Sequence, residues 1–301
     1  MIKPNLFILG APKSGTTSIH NWLDSSDEVC MSVIKEPRFY CNFSKSDFDG
    51  PGIEDFFSDN ISIYEEYVNI FSKNISSKVL GESSTDYLSS LRAAKNIKNA
   101  EVQNLKFIII LRNPVHRAFS EYLHTKRDNI EDQTFIKSLD LEKEGTRKSF
   151  QPLFHHIKRG KYAESLKVYF EYFDKSQFYI ETYDMLKQNP QLVFDSICNF
   201  LNIEKFKINE QEKHNASGIP RIKMLHHLEN PNNHLHSLLK LIFPKKLIRS
   251  MKFFVQKYNL RKELISEEDW IYAYSFFKTD IEEVEFLIGK DLSKWKRYHE
   301  Q

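Results

Sequence analysis

Two stretches of this chain carry residues whose types and spacing suit the binding of phosphate or sulfate. The first is Gly10-Ala11-Pro12-Lys13-Ser14-Gly15-Thr16-Thr17, directly after an apolar run. Gly10 and Gly15 permit backbone angles and close approach that a Cβ forbids. Amides opening a helix after Gly15 would lack intrahelical acceptors, and the helix dipole adds partial positive charge there. An oxyanion fits such a nest, and Lys13 supplies a full charge beside it. A nucleoside-triphosphatase loop reads G-x-x-x-x-G-K-[ST]. Here Gly10 and Gly15 keep that spacing, but Thr16 stands where the lysine belongs and the cation is Lys13. The loop suits an anion and poorly suits ATP hydrolysis.

The second stretch is Arg112-Asn113-Pro114-Val115-His116-Arg117-Ala118-Phe119-Ser120, again at the end of an apolar run. That run places the Arg112 guanidinium at the top of a sheet. Asn113 is a good N-cap and Pro114 suits a first helical turn. Ser120 comes about two turns after Asn113, so both face one side. Arg112 and Ser120 can bracket one anion, the guanidinium fork giving bidentate contact. Two anion sites on one sheet point to a nucleotide with two separated phosphates.

The elements that must position these residues follow from hydrophobic pattern. Residues 6–9, 78–80, 107–111 and 178–180, with a shorter run at 29–33, read as buried parallel strands. Helical patterns at 17–25, 63–71, 90–97, 115–126, 162–173 and 192–201 alternate with them. Such alternation gives right-handed crossovers and a doubly wound sheet, with ligands beyond the carboxyl ends of its strands. Residues 202–233 read as a polar loop and 235–258 as a basic amphipathic helical region. Residues 267–288 read as one long helix, capped by Ser266 with Asp269 and closed by Gly289. One domain spanning 1–301 is expected: a core to about residue 203 and a helical C-terminal part packed on it.

Composition excludes several classes. A net charge of +2 does not build the broad phosphate-neutralising face of a general nucleic-acid binder. The three cysteines, Cys30, Cys41 and Cys198, fit neither a disulfide framework nor a tetrahedral metal site, so reduced thiols and a cytoplasmic location are expected. Neither a signal peptide nor the ~20 apolar residues of a transmembrane span is visible.

The motifs resemble those of the sulfotransferases, which use 3′-phosphoadenosine-5′-phosphosulfate. Gly10-Ala11-Pro12-Lys13-Ser14-Gly15-Thr16-Thr17 is similar to their 5′-phosphosulfate loop, and Leu111-Arg112-Asn113-Pro114-Val115-x-Arg117-Ala118-x-Ser120 to their 3′-phosphate motif. The resemblance runs from about residue 5 to 200. Lys35-Glu36-Pro37-x-Phe39-Tyr40, Gly81-Glu82-Ser83-Ser84-x-x-Tyr87 and Gly160-x-Tyr162-Ala163-x-x-Leu166 resemble the Golgi-type carbohydrate subgroup, heparan-sulfate enzymes included. Gly289-Lys290-Asp291-Leu292-Ser293-x-Trp295 is similar to bacterial members. The membrane anchor of the Golgi enzymes is absent here, as is a cysteine pair with a lysine- and glycine-rich loop before the C-terminus.

The resemblance implies a P-loop-like α/β fold and a site residue by residue. Lys13, Ser14, Gly15, Thr16 and Thr17 would hold the 5′-phosphosulfate; Arg112 and Ser120 would hold the 3′-phosphate. Lys13 would neutralise charge growing on the bridging oxygen as the sulfuryl group leaves. Glu36 matches the catalytic glutamate that takes the acceptor's proton, with Lys35 and Arg38 keeping it ionised. Glu82 is the rival base, or a group orienting the acceptor or pairing a cation. Arg221 and Lys223, in the late loop, would clamp the 3′-phosphate. A sulfuryl group carries less charge than a phosphoryl group, so no metal is expected. Adenosine 3′,5′-bisphosphate would be the product, and a carbohydrate or small hydroxylated molecule the acceptor. Acceptor specificity is expected in loops at 43–60, 128–156 and 230–259.

Other readings of the residues stay open: a P-loop kinase needing magnesium, or a non-catalytic nucleotide-binding module. His20 and His116, on helices inside the anion motifs, read as packed residues, and Trp22 as core rather than an adenine platform. His226, His227, His234 and His236 read as a solvated helix end rather than a metal site. The basic 240–257 region reads as a helix covering the core, with peripheral membrane contact as its other use.

Overall fold

A computed structural model of the chain describes residues 3–71, 77–209, 219–220, 260–261 and 263–299. Five strands form one sheet in the order β2-β3-β1-β4-β5: β1 (Leu6–Gly10), β2 (Val29–Met31), β3 (Val79–Ser83), β4 (Lys106–Leu111) and β5 (Phe178–Thr182). All four neighbouring pairs are parallel. β3 and β4 flank β1, so the chain leaves β1 toward opposite edges, and a crevice opens at the carboxyl ends of these strands. The loops after β1, β3 and β4 all rise there.

Both faces of the sheet are covered, as the unbroken apolar strands require. Leu6, Ile8, Ile108 and Ile110 pack on α1 (Thr16–Asp24) and α9 (Pro190–Leu201) through Ile19, Leu23, Phe194 and Ile197. Phe7, Leu9, Phe107 and Ile109 face the other way, toward α4 (Leu91–Asn99), α5 (Pro114–Arg127) and α7 (Tyr162–Tyr172). Further helices are α2 (Ile53–Phe57), α3 (Tyr64–Asn69), α6 (Phe135–Lys143), α8 (Tyr183–Gln188), α10 (Glu267–Tyr274) and α11 (Lys278–Ile288). Trp270, Phe277, Ile281 and Trp295 belong to the same core as Phe7, so the C-terminal helices pack onto the sheet domain. Ile219–Pro220 and Leu260–Arg261 form a short antiparallel pair.

One expected element is corrected. The long helix over 267–288 is two helices, broken at Ser275–Phe277 between α10 and α11. The break drives Phe277 into the core, where its ring fills the space beside Gly160: a Cβ there would lie 2.6 Å from Phe277 Cε1. Ser266 does cap α10, accepting from the Asp269 amide at 3.1 Å, and Gly289 ends α11 at φ 65°. The stretch 128–156, read as a loop, contains α6, started by the Thr134 hydroxyl. The basic 235–258 region and the histidine-rich segment lie outside the described residues. Cys30, Cys41 and Cys198 are free and buried.

Candidate active site

The anion loop leaves β1 with Gly10 at φ 145° and enters α1 through Gly15 at φ 82°. Side chains avoid both conformations, and a Cβ on Gly15 would also lie 2.8 Å from Leu186 Cδ2. No side chain caps α1 and no acidic residue sits in its first turn, so the helix's own opening turn does not repel an anion. Lys13 itself is left-handed, at φ 63°. Burial, then the Arg127 and Arg112 charges, lower its ammonium pKa to about 8, against partial support from Glu121 and Asp128. A cation so placed gains from an incoming anion.

Arg112 sits at the end of β4 as its sequence pattern requires. Its Nη1 donates to the Lys13 carbonyl at 2.9 Å, so the two anion motifs touch directly. The guanidinium lies 5.0 Å from the centroid of the Tyr183 ring. Asn113 caps α5, its Oδ1 accepting from the Val115 amide at 3.0 Å and the His116 amide at 3.4 Å. Those amides are taken by the cap, and Ser120 lies buried two turns further along α5. The Gly160 motif supports them from below. The Tyr162 hydroxyl donates to the Arg112 carbonyl at 2.9 Å, while Asp280 of α11 accepts from the Tyr162 and Ala163 amides and so caps α7. The Asn113 side-chain Nδ2 donates to the Trp295 carbonyl at 3.2 Å, which ties in the chain-end motif.

Glu36 follows β2 in a loop that bends back over the crevice, its own φ at 63° and its amide bonded to the Ser83 carbonyl at 2.8 Å. Its carboxylate accepts from the Thr85 amide at 2.7 Å, the Thr85 hydroxyl at 3.1 Å and Lys35 Nζ at 2.6 Å. Burial opposes the charge, but Lys35, Arg38 and the Thr85 amide outweigh it and hold the pKa at about 2.

Glu82, on β3, lies fully buried beneath that loop. Its carboxylate accepts from the Tyr67, Tyr87 and Ser84 hydroxyls at 2.6, 2.8 and 2.9 Å. None of these donors is a cation, so burial dominates and lifts its pKa to about 7. The same hydroxyls reach the loop above: Tyr87 accepts from the Tyr40 amide and Ser84 from the Arg38 amide.

Comparison with known proteins decides what this arrangement belongs to. The sulfotransferase domain family matches residues 3–217. The chain belongs to the sulfotransferase family. Relatives include the Caenorhabditis elegans "Bifunctional heparan sulfate N-deacetylase/N-sulfotransferase 1", 26% identical over 71% of this chain, and human "Carbohydrate sulfotransferase 15", 23% identical over 66% of it. The chain spans 24% of the nematode protein's length and 44% of the human one's. Among solved structures, a sulfotransferase from Alicyclobacillus acidocaldarius is 26% identical with a TM-score of 0.76, covering 99% of this chain and 100% of that one.

Behind the Lys13 and Arg112 motifs, this sulfotransferase holds a buried ionic chain that the sequence reading missed. Arg38 Nε meets Asp86 at 2.7 Å, Asp86 meets Arg159 at 2.8 Å, Arg159 meets Glu121 at 2.6 Å and Glu121 meets Arg117 at 2.7 Å. The chain runs from the Glu36 loop to α5, one residue from Ser120, and on to the turn before Gly160. Only Arg117–Glu121, four apart on one helix, is a spacing that sequence exposes. His124, one turn beyond Ser120, was also missed. Burial and the Lys13 charge lower its pKa to about 3, and its Nδ1 lies 3.3 Å from Asp128.

His20 is buried with Nδ1 2.8 Å from the Ser83 hydroxyl, and His116 is buried beside Arg112. Trp22 is a core residue, set edge-on against Phe194. A cavity of about 750 Å³ opens in the 43–60 stretch, where the Phe43 and Phe57 rings and the Asn42 and Asn60 amides are joined by the charged Lys45, Asp47 and Arg92. Its Phe57 neighbours Phe56, on which Arg38 stacks at 4.4 Å. No described helix is long and apolar enough to cross a membrane. Arg221 and Lys223 lie outside the described residues.

Proposed function

We propose that this sulfotransferase moves the sulfuryl group of 3′-phosphoadenosine-5′-phosphosulfate directly to a hydroxyl or amine of a carbohydrate acceptor. The observation that carries the reading is the 2.9 Å bond from Arg112 to the Lys13 carbonyl, which brings the two motifs side by side, an arrangement that suits a donor with two phosphate-bearing ends. The residues present fit that donor. Lys13, Ser14, Gly15, Thr16 and Thr17 surround a helix N-terminus with no side-chain cap and no acidic residue in its first turn, and Arg112 and Ser120 flank the second position. Arg221 is a further 3′-phosphate ligand in this reading.

The residues divide the chemistry between them. Glu36 accepts the proton of the attacking hydroxyl or amine as the new bond to sulfur forms. Lys13 meets the electron pair left on the bridging oxygen of departing adenosine 3′,5′-bisphosphate, stabilisation that grows toward the transition state. Glu82 carries the loop from which Glu36 projects. A carbohydrate acceptor is supported by the names of the relatives and by the cavity beside Phe57, whose amides, hydroxyls, rings and charged side chains suit a polar sugar. Metal-independent turnover and a cytoplasmic site of action complete the proposal.

Calorimetry with adenosine 3′,5′-bisphosphate, ATP and ADP, each with and without magnesium, tests it. Tight, metal-independent binding of the bisphosphate alone is expected. Preference for ATP with magnesium would overturn the reading in favour of a kinase.

A further inference from the structure

The Glu36 carboxylate is fully engaged in this structure. Thr85 holds it from the protein side through amide and hydroxyl, and Lys35 Nζ takes Oε1 at 2.6 Å. A carboxylate so paired is a weak base, and the position an acceptor proton needs is filled by an ammonium. The Thr85 contacts are fixed by backbone, whereas Lys35 is a flexible side chain on the solvent side: the Lys35 and Glu36 side chains are 25% and 19% exposed. Arg38, the other cation near Glu36, cannot swing away, because Asp86 and the carbonyls of Glu36 and Phe56 hold it. Lys35 is therefore the movable partner.

We propose that Lys35 is a latch on Glu36, which an anionic group of the acceptor opens by drawing the ammonium to itself, and that this restrains transfer of the sulfuryl group to water. The inference rests on the donor and base assigned above and adds to them an acceptor bearing a carboxylate or sulfate near its nucleophile. In the latched state water has no good base. With Lys35 withdrawn, Glu36 takes the proton of the attacking oxygen while the oxygen–sulfur bond forms and the bisphosphate leaves with the electron pair of the broken bond.

The test follows release of adenosine 3′,5′-bisphosphate from the donor without acceptor. Lys35→Met raises this rate about tenfold. The double variant Lys35→Met/Glu36→Gln loses the gain, and Lys35→Arg, which keeps the charge, brings the rate back down. Added glucuronate speeds release by the natural protein more than glucose at matched ionic strength, a preference that Lys35→Met abolishes. A Lys35→Met rate at or below that of the natural protein, a gain that survives loss of Glu36, or an unchanged glucuronate preference would overturn the latch. Bisphosphate affinity, measured by calorimetry on the same variants, separates the two ideas: intact binding with no change in release sinks the latch alone, while absent binding sinks the donor assignment.

Discussion

Two glutamates sit on either side of one loop, and their surroundings send them opposite ways. Glu36 lies above, among Lys35, Arg38 and the Thr85 amide, and keeps its charge to about pH 2. Glu82 lies below among three hydroxyls, and burial holds its proton to about pH 7. Both carboxylates are bonded by several donors. What separates them is the charge of those donors, since a hydroxyl offers only a dipole where lysine and arginine offer a full charge. Position relative to the crevice then decides the work each can do. Glu36 reaches solvent beside the anion loop, and Glu82 reaches only the loop's underside.

The comparison breaks or sharpens at its most consequential point first. Glu36→Gln should lower kcat by about 10²–10⁴, the range for losing a general base, with bisphosphate affinity unchanged. Glu82→Gln should cost less than about tenfold in kcat, because the Gln carbonyl oxygen can still accept from both the Tyr67 and Tyr87 hydroxyls. If steady-state kinetics reverse that order, Glu82 is the base. Lys13→Ala should lower the rate by about 10²–10³, the cost of one transition-state donor, and a variant with near-normal turnover would remove Lys13 from the mechanism. Arg159→Met should cost about 3–5 kcal/mol in urea unfolding, because Asp86 and Glu121 would lose a partner inside the protein.

Stability against pH sharpens the contrast further. The native pKa of Glu36 is depressed from 4.5 to about 2, so its contribution is present above pH 4.5 and lost as pH falls toward 2. That of Glu82 is raised from 4.5 to about 7, so its contribution is present below pH 4.5 and lost as pH rises through 7. Urea titrations should show each Gln variant flattening only its own limb. The smallest effect concerns Lys13: with its pKa near 8, bisphosphate affinity should weaken as pH climbs past that value, and calorimetry on Lys13→Ala should show no such limb.

Much of this was legible in sequence where local chemistry rules. Strand runs, the Gly10 and Gly15 turn, the Asn113 cap and the Ser266 cap depend on neighbours within a few residues, and each formed. The break at Phe277 was not legible, because the apolar periodicity of 267–288 runs straight through it. Only Gly160, more than a hundred residues away, offers the space that draws the ring inward. The Arg38–Asp86–Arg159–Glu121 chain was hidden for a similar reason, its members coming from four separate segments. Glu82 reads from sequence as a rival base or a group orienting the acceptor. Tyr67 and Tyr87, which keep it underneath, reveal themselves only once α3 and the loop after β3 are folded.

The bond between Arg112 and the Lys13 carbonyl has a mechanical consequence. It fastens the first turn of one crossover to the loop of another, so displacing either cradle drags on its neighbour. A cosubstrate engaging both ends at once would benefit from this stiffness as a chelate does. Severed halves, adenosine 3′-monophosphate and inorganic sulfate supplied together, would each meet a grip that the other had not been tethered to tighten.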